Sequence, residues 1–170
     1  MNTGQGLLTI AAMMLLSILI LRVNNTFLTT GSVLVDSKFG IIATSLATSQ
    51  LEKINTLAFD NYTASNSTHN LSDLTSPGSL GPESGETADS LYNDIDDYNG
   101  WYKNVPVVID SSKPAENFRI SCQVCYVNPT NPDGYSNVAT WNKKIKVTVS
   151  NQFMPDTVKM STIYSYWVFR

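Results

Sequence analysis

The segment from Leu7 to Val23 reads LLTIAAMMLLSILILRV, and Arg22 is its only charge. As a helix these residues span roughly 26 Å, the lower end of what crosses a bilayer. A secretory signal would show a basic start and a small-residue cleavage site. The preceding MNTGQG contains no Lys or Arg, and nothing near Val23 resembles an A-x-A site. Two readings fit: an uncleaved anchor, or a helix that sits first in a membrane and later packs against copies of itself.

Beyond this run the pattern changes. Residues 24–31, NNTFLTTG, are weak helix formers and predict a loosened joint. Val35, Phe39, Ile42 and Leu46 then recur at helical spacing, and Leu51, Ile54 and Leu57 continue the stripe. They predict an amphipathic helix over 32–59. Residues 60–104 begin with a stretch rich in Ser, Thr, Gly and Pro, and predict a variable surface loop that includes an Asp-rich segment. Asn61, Asn66 and Asn70 in it match the N-glycosylation acceptor pattern, although so Ser/Thr-rich a stretch produces such matches by chance.

From Val105 to the C-terminus the period is two. Phe118, Ile120, Cys122, Val124 and Tyr126 form one apolar parity, and Ile145, Val147 and Val149 another. Val158, Met160, Thr162, Tyr164 and Tyr166 form a third run. Short links between half-buried strands favour an antiparallel meander over 105–170. Its apolar face needs a cover, and the stripe on the 32–59 helix is the long apolar surface available. The expected fold is α+β: a long N-terminal helix, apolar over 1–23 and amphipathic further on, packed against an antiparallel sheet of three to four strands.

The formal charge of −3 and a pI near 5 argue against nucleic acid as a partner. A nucleophilic triad is not expected either, because the single His, His69, sits in a polar loop and no G-x-S-x-G or H-E-x-x-H occurs. The chain therefore reads as a non-enzyme. Cys122 and Cys125 have C-x-x-C spacing, but Tyr126 stands where a haem site needs His, and zinc would need more ligands. On a strand the two thiols lie about 10 Å apart on opposite faces, so a disulfide needs a bulge or turn. Two small buried hydrophobes, a local disulfide, or redox or metal chemistry remain as readings. Asp94, Asp96, Asp97 and Asn99, followed by Gly100, offer oxygen ligands of the kind calcium takes, without the EF-hand spacing. The competing reading is an Asp-rich turn that caps its own backbone. Apart from calcium, no cofactor is expected. Tyr164, Tyr166, Trp167 and Phe169 read as sheet core or a subunit contact sooner than as a carbohydrate platform.

An apolar helix, an amphipathic continuation, a variable loop and a C-terminal antiparallel sheet, in that order, resemble type IV pilins and pseudopilins. Locally, DIDDYNG (94–100) looks like the Asp-rich segment of some prepilin-type proteins, including those related to mannose-sensitive haemagglutinin pili. KIKVTVS and DTVKMSTIYSYW look like the ends of similar pilin-like chains. The resemblance implies a filament subunit that resides in the inner membrane before assembly and on the cell surface afterwards. Its implied partners are other copies of itself, the pilus assembly machinery, a prepilin peptidase and the membrane. It implies a polymerising helix bearing Met1, Gln5, Gly6, Ala11, Ala12, Leu15, Leu16 and Ile18. Met1 as the mature first residue would explain why no basic residue precedes the apolar run. One departure stands out: pilins commonly carry Glu at the fifth mature position, and here it is Gln5. The alternative to a filament subunit is a single-anchor envelope protein with a small β-rich binding or sensor domain.

Overall fold

The computed structural model of the chain describes residues 3–109 and 111–167; Met1 and Phe169 lie outside them. The architecture is α+β: helix α1 (Thr3–Asn55) and a four-stranded antiparallel sheet of β1 (Tyr102–Val107), β2 (Glu116–Tyr126), β3 (Asn142–Ser150) and β4 (Val158–Ser165), in spatial order β1-β2-β3-β4. The chain divides into two compact units, residues 1–39 and 40–170.

In the first unit, residues 3–38 are helical and their side chains are exposed, with Gly6 half-buried. Residues 24–31, expected as a loosened joint, are helical as well. Their weak propensities cost at most about 1 kcal/mol each, against a helix propagated from both sides. The hydroxyls of Thr26, Thr29 and Thr30 donate to the carbonyls of Arg22, Asn25 and Thr26 at 2.9 Å, so none competes for a non-helical backbone.

In the second unit α1 ends at Asn55, four residues short of the expected Phe59. The reason lies just beyond it. Ala58 leaves the helix to form a parallel bridge with Asp94, its N–H donating to Asn93 O (3.2 Å) and its carbonyl accepting from Ile95 N–H (3.0 Å). The buried face of the helix is Ala43, Ala47, Gln50, Leu51 and Ile54, while Ile42 and Leu46 lie at its margin. Of the expected stripe Phe39, Leu51 and Ile54 are buried, whereas at Ile42 and Leu46 the burial falls one residue further on, at Ala43 and Ala47. The methyl side chains let the helix approach closely, and the larger residues fill the flanks.

The sheet follows the expected parity. Phe118, Ile120, Cys122, Val124 and Tyr126 of β2 face inward with Ile145, Val147 and Val149 of β3, and all are buried. The register sets Cys122 opposite Val147 and Val124 opposite Ile145. β1 starts at Tyr102, three residues before the expected 105. It is an edge strand, and its Pro106 therefore costs no central ladder bond. Residues 60–101 are not uniformly a surface loop: Asp60, Thr68, Leu74 and the run Asp94–Tyr98 are buried.

Candidate functional site

The buried Asp-rich segment is organised by its own carboxylates. Asp94 Oδ1 accepts the N–H groups of Asp96 (2.9 Å) and Asp97 (3.2 Å). Asp97 Oδ2 accepts those of Asn93 (2.9 Å) and Asp94 (3.2 Å). This reciprocal capping holds Asp96–Tyr98 in a short 3-10 turn. Gly100, at φ 80°, then turns the chain toward β1, its N–H donating to Cys122 O at 3.1 Å. Asn99 Oδ1 accepts from Val124 N–H (3.1 Å), and its Nδ2 donates to Leu80 O (3.0 Å).

The four residues expected together as calcium ligands are parted by this geometry. Asn99 is committed to the backbone of β2 and Leu80. Asp96 turns to Lys143, which is fully buried on the inward face of β3. Lys143 Nζ donates to Asp96 Oδ1 (2.5 Å), Asp60 Oδ2 (2.9 Å) and Phe59 O (2.7 Å), and it lies 4.6 Å from the Phe59 ring centroid. Asp60 also accepts Thr75 N–H (2.9 Å) and the Tyr126 hydroxyl (3.3 Å). One cation thus joins the end of the helical segment, the Asp-rich turn and the sheet.

Asp94 and Asp97 face the other way, toward Glu83. One carboxylate oxygen from each of the three lies within 4.8 Å of the others. Asp94 Oδ2, Asp97 Oδ1 and Glu83 Oε2 are buried and make no hydrogen bond. Burial, reinforced by the charges of Asp96 and Asp97, pushes Asp94 up to about 9 despite the pull of Lys143. Glu83 is pushed up to about 7 by burial and by Glu86 and Asp97. Asp97 is also raised, because burial outweighs its two backbone hydrogen bonds. Glu86 supports the rim, accepting Glu83 N–H (3.0 Å) and Asn93 Nδ2 (2.7 Å). Glu83, drawn from the loop upstream, was not among the expected ligands.

Elsewhere, Cys122 and Cys125 are free thiols. β2 runs unbroken past both, so Cys122 points into the core and Cys125 to the outer face, and the disulfide reading fails for want of a bulge. Burial pushes the Cys122 thiol up to about 12 and raises Cys125, with nearby Lys144 and Lys146 opposing. Asn61, Asn66 and Asn70 are exposed, as glycosylation would require, and so is His69. Tyr164 and Tyr166 pack on Phe59 at 6.2 and 5.5 Å between ring centroids, and Trp141 stacks on Tyr166 at 5.5 Å, whereas Trp167 is exposed. Lys144, Lys146 and Lys159 meet on the outer face of the sheet around Gln123, although Lys144 is paired with Asp133 at 2.8 Å. Gln5, Ala11, Ala12, Leu15, Leu16 and Ile18 are exposed on α1, and Gly4 and Gly6 have open space around them. α1 is long and apolar enough to cross a membrane, with a mean hydropathy of 2.3 over its most apolar stretch.

No family model, no curated protein and no solved structure matches the chain.

Proposed function

We propose that the chain is a structural subunit of a type IV pilus-like filament that polymerises through α1, from an inner-membrane precursor to an extracellular fibre. One observation carries this reading. The apolar side chains of α1 from Leu7 to Val35 are exposed, while residues 40–170 bury a core of their own. Such a surface needs either lipid or other helices. Moving from lipid to a helix bundle yields little hydrophobic gain, so close packing has to hold the bundle. Gly4, Gly6, Ala11, Ala12 and Ser17 are the small side chains that permit it. Gln5 supports a modified version of the pilin contact. An amide accepts a hydrogen bond from a neighbour without the cost of a carboxylate in the bilayer.

Electron microscopy of material sheared from cells tests the proposal. Wild-type chain should appear in filaments. Gly6→Leu, which preserves the apolar character of the segment, should abolish them while leaving the protein in the membrane; Leu15→Asp should impair both. Filaments unchanged by Gly6→Leu refute polymerisation through this face. A chain found only as a membrane monomer selects the single-anchor envelope protein instead.

A further inference from the structure

We propose that Glu83, Asp94 and Asp97 form a binding site for a calcium ion. The three carboxylates converge to within 4.8 Å from two separate loop segments. Asp94 and Asp97 are fully buried, and each carries one oxygen with no hydrogen-bond partner, as does Glu83. A carboxylate oxygen removed from water without a partner is destabilising, and neighbouring negative charges add to that.

The remaining oxygens explain why the free ones are available. Asp94 Oδ1 and Asp97 Oδ2 are occupied by backbone N–H groups, which fix both carboxylates and leave Asp94 Oδ2 and Asp97 Oδ1 as their unpaired oxygens. Such outer support orients metal ligands in advance. Lys143, the nearest buried cation, spends its three donors on Phe59, Asp60 and Asp96 and does not hydrogen-bond to this trio.

The ligand chemistry selects the ion. All three donors are hard oxygens, which excludes a preference for softer metals. Calcium accepts irregular oxygen sets of six to eight with waters completing the shell, whereas magnesium demands near-ideal octahedral geometry. A trio drawn from loops, with the half-exposed Glu83 as its entrance, suits the former. The inference does not depend on whether α1 polymerises.

The test uses the full-length chain in detergent after treatment with EDTA. Calcium should raise the melting temperature of the folded unit by several degrees (about 5 °C at saturation). Terbium, a luminescent stand-in for calcium, should show emission sensitised by the nearby Tyr92, Tyr98 and Trp101, and calcium should quench it far more effectively than magnesium. Glu83→Gln should weaken calcium binding at least tenfold. Glutamine keeps the size and the half-exposed position of this side chain, and the variant's EDTA melting curve checks that the fold is kept. Asp97→Asn should act in the same direction. The proposal is overturned if calcium leaves melting unchanged and sensitised terbium emission is absent. It is equally overturned if Glu83→Gln binds calcium as tightly as wild type, or if magnesium competes as well as calcium.

Discussion

Replacing Lys143 with methionine keeps most of the side-chain volume and deletes the charge. The substitution removes three donated hydrogen bonds, to Phe59 O, Asp60 Oδ2 and Asp96 Oδ1. The two carboxylates left behind are not equivalent. Asp60 keeps Thr75 N–H, Tyr62 N–H and the Tyr126 hydroxyl. Asp96 keeps nothing comparable, because its Oδ2 already lacks a partner and its Oδ1 loses the lysine. Both are at most 1% exposed. Breaking a buried pair from one side costs about 3–5 kcal/mol, since the survivor is stranded in a low-dielectric interior. The unit from Gly40 to Arg170 has 131 residues. At ~2.1 cal/mol/K per residue its unfolding entropy is about 0.28 kcal/mol/K, so the loss corresponds to a fall of about 10–20 °C in melting temperature. Circular dichroism melting of the full-length chain in detergent reads this directly. Adding Asp96→Asn to Lys143→Met should recover a large part of the loss, because it removes the stranded charge. The same Asp96→Asn change in the wild-type background should destabilise. A fall of less than about 3 °C, or strict additivity of the two changes, would refute the account of this triad as a compensated charge cluster.

Gly100→Ala should lower stability by about 1–2 kcal/mol, because φ there is 80°; Gly78→Ala, at ordinary φ with nothing within 4 Å, is the control that should melt as wild type. The raised thiol pKa values mean little thiolate near neutral pH, so both cysteines should alkylate more slowly than a free thiol in the native state, Cys125 ahead of the buried Cys122. Mass-spectrometric mapping that found Cys122 labelled at the free-thiol rate would contradict its burial. In EDTA, stability should fall as pH rises from the ordinary carboxylate range through about 7 for Glu83 and on toward about 9 for Asp94. The sign follows from linkage: a carboxyl raised in the folded state holds its proton there after the unfolded chain has released it, so raising the pH favours unfolding. A flat melting profile between those limits would contradict the crowding of these groups.

What was legible in the sequence was periodicity, and what was not was contact. Alternation in Phe118–Tyr126 and Ile145–Val149 marked the inward faces because side-chain parity is a local property of a strand. Lys143 shares the parity of Ile145, so its inward position was readable; its charge class argued for the opposite face. Residues 24–31 failed as a joint because single-residue propensities say little once a helix is propagated through them. On α1 the large side chains mark Leu51 and Ile54 correctly, whereas the fully buried positions beside Ile42 and Leu46 belong to Ala43 and Ala47, where small size and not hydrophobicity decides. The Asp-rich segment was visible as a pattern. Its partners were not, because Lys143 lies 47 residues from Asp96 and no spacing rule joins them.

That segment sends neighbouring carboxylates into two different environments, and the contrast constrains both. Asp96 meets a fully buried lysine that also serves Asp60, so its ionised form has a counter-charge. Asp94 and Asp97 point toward a third acid, with unpaired oxygens and no lysine hydrogen-bonded to them among the described residues. Had burial of acids been only a by-product of packing the turn, the capping oxygens alone would account for it and the other oxygens would sit in solvent. Instead Asp94 and Asp97 are fully enclosed. Lys143 supplies the counter-charge to Asp96 from the chain itself, and the calcium ion proposed above would supply it to Asp94 and Asp97, whose other oxygens are already held by backbone N–H groups.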